Sequence, residues 1–198
     1  MSRRKSRTIR LGNTLIGGGR PPVLQTMITT PLDQFDMALA EAERAVELGC
    51  RVVRAAVRTE EDARHLASFT AAFRGDLIAD IHFDYRLALI AIDAGVAGVR
   101  FNPGNIGGKE RVAEIVAAAR LRGNVAVRIG VNAGSLEKDI FERHGEPTAE
   151  ALVESTRRWV EFLEQDLGYH NFKVSVKSHD VGETIAACRA VASFTDAP

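Results

Sequence analysis

Residues 99–108, Val-Arg-Phe-Asn-Pro-Gly-Asn-Ile-Gly-Gly, open like a buried strand and close like a loop. Side chains on a strand alternate between faces, so Arg100 and Asn102 share one face while Val99 and Phe101 share the other. The break at Pro103-Gly104 ends the strand. A cation and an amide on one face of an apolar strand are costly unless they meet a partner. The same arrangement recurs along the chain. Asp80 and His82 share a face in "LIADIHF", Arg128 and Asn132 in "NVAVRIGVN", and Lys173, Ser175 and Lys177 in "NFKVSVK". "RVVRAAV" supplies Arg54, and "VLQTMI" supplies Gln25.

Working outward, each of these runs precedes a segment of helical periodicity that stops near a glycine. After Val23–Ile28, the residues Leu32, Phe35, Leu39, Ala42 and Val46 recur at helical spacing, with Asp33 as the expected cap and Gly49 as the stop. Thr59 followed by Glu60, Glu61 and Asp62 has the form of a capped helix start. Helices are expected over 85–94, 109–121, 148–165 and 181–192. The long connection after the fifth strand has room for a short helix. Trp159 and Phe162 read as the core face of the fifth-unit helix. Six βα units result. Strands alternating with helices imply a parallel sheet, and the unit length fits a TIM-type (β/α)8 barrel with six of its βα units present. Residues 1–22 are expected to be a basic leader and turn, exposed to solvent, with Gly17–Gly19 as the turn. Residues 23–198 are expected to form an incomplete barrel.

Composition narrows the function. The chain has 198 residues, 45% hydrophobic and 26% charged, and its 26 Lys+Arg balance its 26 Asp+Glu. That balance removes a whole-chain electrostatic case for nucleic acid or a membrane surface. No apolar run is long enough to span a bilayer, and the basic N-terminus lacks the apolar core of a secretory signal. The expectation is a cytoplasmic protein. Cys50 and Cys188 are far apart with no CxxC pair, so no metal site is expected in this chain. His65, His144, His170 and His179 fall on helices or loops and read as surface residues.

The five strand cations, Arg54, Arg100, Arg128, Lys173 and Lys177, are matched on the strands by one clear carboxylate, Asp80. A lone strand arginine ordinarily pairs or extends its head to water. Five at consistent strand positions point instead to an anion at the C-terminal ends of the strands, where barrels build their sites. Arginine suits phosphate through its planar two-pronged donor. "NPGNIGGKE" offers backbone N–H groups near a helix start as a phosphate cradle, without the Lys-Ser/Thr of a nucleotide loop. The expected binding residues are Arg54, Arg100, Asn102, Arg128, Asn132, Lys173 and Lys177, with Asp80 and His82 as candidates for hydrogen bonding or proton transfer. Asp80-x-His82-x-Asp84 has the look of a metal cluster but lacks a second well-placed histidine.

The segments "ADIHFDYRLAL", "VRFNPGNIG", "RIGVNAGSLEKD", "GEPTAEALVES" and "FKVSVKSHD", in this order, resemble the N-terminal barrel of the 4-hydroxy-3-methylbut-2-en-1-yl diphosphate synthase family of the methylerythritol phosphate pathway. The resemblance runs from "RRKS" to the end of the chain. It implies an iron–sulfur oxidoreductase of isoprenoid biosynthesis that opens 2-C-methyl-D-erythritol 2,4-cyclodiphosphate reductively, with loss of water. The barrel would hold the diphosphate through Arg54, Arg100, Arg128, Asn132 and Lys177. It also implies a [4Fe–4S] cluster in a C-terminal domain that these residues do not include, ferredoxin or flavodoxin as electron donor, and a homodimer when full length. The short chain by itself is then expected to be inactive. Gln25-Thr26-Met27-Ile28-Thr29-Thr30 departs from the family's usual Gln-Ser-Met-Thr-Asn-Thr, and neither cysteine matches a cluster position. A dihydropteroate-synthase-like transferase and a non-catalytic anion-binding module stay open as alternatives.

Overall fold

The computed structural model describes residues 4–123 and 125–198. A parallel six-stranded sheet is ordered as in the sequence: β3 (Gln25–Met27), β4 (Val52–Val57), β5 (Asp76–Ile81), β6 (Gly98–Phe101), β7 (Ala126–Asn132) and β8 (Phe172–Lys177). Each strand leads into a helix: α1 (Phe35–Glu47), α2 (Glu60–Ala72), α3 (Tyr85–Asp93), α4 (Pro103–Ile106) with α5 (Lys109–Leu121), α6 (Lys138–His144) with α7 (Ala149–Glu161), and α8 (Val181–Phe194). The sheet curls into part of a (β/α)8 barrel. No helix among the described residues is long and apolar enough to cross a membrane.

The local chemistry explains most boundaries. Thr59 and Asp62 form a reciprocal capping box at α2, and Asp84, Thr148 and Asp180 cap α3, α7 and α8 through their side chains. Asp33 does not cap α1. The helix starts after Gln34, whose side chain makes no capping bond. Gly49, at φ +98°, ends that unit in a conformation that L side chains rarely adopt. Along every strand one parity faces the helices. Val53, Ala79, Val99, Val127 and Phe172 are all fully buried there, and Trp159 and Phe162 pack edge-to-face against each other in the same core.

The other parity faces inward and is filled at its lower end by an element that the sequence pattern did not suggest. Residues expected as an exposed leader instead form an antiparallel hairpin, β1 (Thr8–Leu11) and β2 (Thr14–Gly17). Leu11 packs with Val52, Ile78 and Ala126 at the lower ends of the strands. Gly98 leaves space for it, because a Cβ there would stand 3.3 Å from Leu11 Cδ1 and 3.1 Å from Ala126 O. The hairpin is tied down by Asn13 N donating to Asp76 Oδ1 (2.9 Å) and by Arg10 N donating to Asn171 Oδ1 (2.8 Å). Arg7 pairs with Glu164 (2.6 Å) and Asp196 (2.8 Å) and lies over the Phe172 ring. The basic residues read as a solvated leader are thus partly ion-paired, and Ile9 and Leu11 are buried. Gly17–Gly19 do make the turn, all three with positive φ.

Candidate functional site

Above the hairpin the inward parity turns polar. Lateral register sets Asp80 beside Arg100, Arg100 beside Arg128, and Arg128 beside Lys173. Laterally paired residues of a parallel sheet project to the same side, so these four form a continuous row. Arg54 lies in register with Ile78, one layer lower, and reaches up to the row. Asn132 and Lys177 pair four residues further along their strands, at the mouth. Cations from four strands and an amide thus lie on one face of the sheet.

Asp80 is 4% exposed and holds two of the cations. Arg100 Nη1 donates to its Oδ1 at 2.9 Å, and Arg54 Nε lies 3.4 Å from its Oδ2. Arg54 Nη2 also donates to Met27 Sδ at 3.2 Å. Among the described residues Arg128 reaches a hydroxyl, donating from Nε to Ser175 Oγ at 3.1 Å. Arg54 Nε and Arg100 Nε are buried and make no hydrogen bond within the described residues. A single carboxylate therefore neutralises part of a strongly positive face. Burial, then Arg54 and Arg100, push the Arg128 guanidinium below its ordinary range. Burial, then Arg128 and Arg54, bring Lys173 down to about 8. An anion on this face would favour the charged lysine and raise its pKa. Titration at pH 8 with sulfate, an anion that does not itself titrate there, is therefore expected to take up protons. Calorimetry in buffers of different ionisation enthalpy measures this, and Lys173→Met should abolish it.

Gly130 makes room for the row. A Cβ at this position would stand 2.9 Å from Arg100 Nη2 and 3.0 Å from its Nε. Gly130→Ala is expected to push the guanidinium off Asp80, lower the melting temperature by loosening that buried pair, and weaken anion binding severalfold. Diphosphate affinity and melting temperature, measured together, check this.

Not every expected site residue joins the face. Strand β6 ends at Phe101, and Asn102 becomes the cap of α4. Its Oδ1 accepts from Gly104 N at 2.9 Å, and its Nδ2 donates to Ser135 Oγ. Asn102 is 7% exposed and its amide is engaged at both ends. Two donors of the glycine cradle are used in the same turn: Gly104 N by that side chain and Asn105 N by Asn102 O. His82 lies one residue beyond the end of β5, with its ring 6.2 Å from that of Phe83. Phe83 is 71% exposed and has the only positive φ among the described non-glycine residues, +63°. Asp84 caps α3 and pairs with Arg86 at 2.6 Å, which accounts for the third member of the Asp-x-His-x-Asp pattern. His144 is not a plain surface residue, since its Nε2 lies 2.8 Å from Glu154 Oε2.

Two carboxylates that hold the loops after strands escaped the sequence reading. Glu41 accepts from Thr29 N, Thr29 Oγ1 and Thr30 N at 2.9–3.0 Å and so clamps the loop after β3. Slight burial acts to raise its pKa, but the hydrogen bonds from Thr30 and Thr29 lower it to about 2. Glu137 accepts from Ser155 Oγ at 2.7 Å and from Trp159 Nε1. The signal that could have found it is Trp159 itself, because a buried indole N–H ordinarily has an acceptor.

Comparison with known proteins matches residues 6–198 to the GcpE TIM-barrel domain. Proteins named 4-hydroxy-3-methylbut-2-en-1-yl diphosphate synthase (flavodoxin) are 45% identical in Hyphomonas neptunium and 46% identical in Aquifex aeolicus. Both alignments cover 100% of this chain, against 52% and 55% of the respective relatives. The chain thus spans about half the length of the curated relatives it matches. Among solved structures, 7,8-dihydropteroate synthase from Vibrio fischeri ES114 superposes with a TM-score of 0.57 at 15% identity, covering 94% of this chain and 72% of the other. That likeness speaks to the barrel alone.

Proposed function

Because the chain belongs to the GcpE TIM-barrel family, we propose that it is the substrate-binding barrel of a 4-hydroxy-3-methylbut-2-en-1-yl diphosphate synthase. In this reading the complete protein takes 2-C-methyl-D-erythritol 2,4-cyclodiphosphate, accepts two electrons, opens the ring and releases water. The observation that carries the binding role is the row of Arg54, Arg100, Arg128 and Lys173 around one carboxylate. In this reading Arg100 and Arg128 would donate to phosphate oxygens, and Arg54 and Lys173 would add charge from either side. Lys177 and Asn132 stand at the mouth, four residues further along, where they would meet the outer part of the same ligand. Asp80 keeps Arg54 and Arg100 in place before the ligand arrives.

The electrons would enter through the family's [4Fe–4S] cluster. The described residues do not fit such a cluster, which needs three or four thiolate-type ligands. Cys50 follows α1 and Cys188 lies exposed on α8, and no group of three His, Cys, Asp or Glu among the described residues could hold a metal. The cluster therefore belongs, in this proposal, to the part of the relatives that lies beyond these 198 residues. This chain alone is then expected not to turn the substrate over. The relatives' name carries flavodoxin, which makes flavodoxin or ferredoxin the proposed donor. A cytoplasmic homodimer completes the reading.

Substitution at the mouth tests it. Lys177→Met is expected to lower affinity for the cyclodiphosphate about tenfold, on the scale of one charge-assisted contact. Lys138→Met should be neutral, because that side chain is 90% exposed on α6, where it pairs with Glu142. Equal calorimetric effects of the two would remove the strand ends from the binding site.

A further inference from the structure

We propose that Glu137 is a positioning residue for the mouth of the site, fixing the loop that follows β7 and, through it, Asn132. This rests on the reading of the inward face as an anion site. Glu137 closes the segment 133–137, between Asn132 at the end of β7 and Lys138 at the start of α6. Its carboxylate is held by Ser155 Oγ at 2.7 Å and by Trp159 Nε1, both on α7. Ser155 is 2% exposed and Trp159 3%, so the anchor is part of the helical core.

Two residues earlier, Ser135 Oγ accepts from Asn102 Nδ2, and Asn102 caps α4. The backbone closes in at the same point, where a Cβ on Gly104 would stand 2.5 Å from Ser135 O. The loop is thus pinned on one side to the end of β6 and on the other to α7. Asn132 lies just upstream, beside Lys177 in the ladder. Beyond the last ladder pair, these two pins, with Leu136 packed against the core, fix the direction in which the chain leaves β7. The anchor is hard to replace. Ser155 can turn its hydroxyl to a helix carbonyl, but the indole N–H has a single fixed donor direction and no second acceptor within the described contacts. Losing the carboxylate leaves that donor buried and unpaired, and the loop free to shift.

The test measures inorganic diphosphate affinity of the complete protein by calorimetry, at a temperature well below each variant's melting point. Glu137→Ala and Glu137→Asp, the second too short to span the same gap, are expected to weaken binding about fivefold or more. Glu137→Gln should stay within about twofold of the parent, because its carbonyl can accept the indole N–H while its amide donates to the Ser155 hydroxyl. Thr156→Val is the structural control. Thr156 is fully buried on α7 and donates only to Leu152 O at 2.8 Å, so it lowers stability without touching the loop. Its affinity should match the parent. Undiminished binding by Glu137→Asp, or equal losses for Thr156→Val and Glu137→Ala at equal loss of melting temperature, would overturn the proposal. Lys177→Met run alongside separates the two levels. If it binds like the parent, the anion reading itself fails; if it is impaired while the Glu137 variants are not, only the positioning role fails.

Discussion

Asp80→Ala is expected to cost about 3–5 kcal/mol of folding stability, the scale for removing one partner of a buried ion pair. Asp80 is the only carboxylate facing Arg54 and Arg100 among the described contacts, and it is 4% exposed. Without it two half-buried guanidinium groups confront Arg128 and Lys173 with no compensating charge. A domain of ordinary stability has only about 5–15 kcal/mol to lose, so the variant should be marginal. The loss is read from urea unfolding as a lower midpoint at unchanged slope. The electrostatic origin makes a second demand. Added diphosphate should raise the midpoint of Asp80→Ala more than that of the parent, because the anion takes over part of the role of the missing carboxylate. Equal shifts would assign the loss to packing.

Arg128→Ala is expected to act in the opposite way, with a large effect on ligand and a small one on the fold. Arg128 gives its Nε to Ser175 and has no carboxylate partner in the described structure. Its own burial, and then its neighbours Arg54 and Arg100, disfavour its charge. Removing it relieves repulsion, so the unliganded protein should be no less stable. Binding should weaken by about 1.5–3 kcal/mol, roughly 10- to 150-fold in Kd, as for hydrogen bonds to a charged group. Isothermal titration with the cyclodiphosphate measures the loss, and unchanged affinity would take Arg128 out of the site.

The contrast between these two residues was partly legible in the chain. Period-two alternation is imposed by the pleat, so it put Arg100, Arg128 and Lys173 each on the face opposite the apolar residues of its own strand, without any knowledge of its neighbours. What it could not show is where a strand stops. Asn102 keeps the parity of Arg100 on paper, but β6 ends one residue earlier and the side chain is used as a cap. The same short-range reading made the arginine-rich N-terminus a leader. Ile9 and Leu11 alternate with Thr8 and Arg10 as in a half-buried strand, yet four residues are too few to stand out from a basic run. Glu137 was invisible for another reason: its partners lie 18 and 22 residues away on a different helix. Contacts of that kind are set by tertiary packing, and only the unmatched indole N–H of Trp159 hinted at one.

The central claim is that the cation row holds the diphosphate of a cyclic substrate. Its most direct measurement is a calorimetric titration of the complete, electron-starved protein with 2-C-methyl-D-erythritol 2,4-cyclodiphosphate, in which binding can be read without turnover. The expected result is one equivalent bound per chain, displaced by inorganic diphosphate, weakened by rising salt, and weakened at least tenfold by Arg128→Ala. Binding that ignores inorganic diphosphate and survives Arg128→Ala, Arg100→Ala and Lys177→Met intact would contradict it, and would place the substrate elsewhere on the molecule.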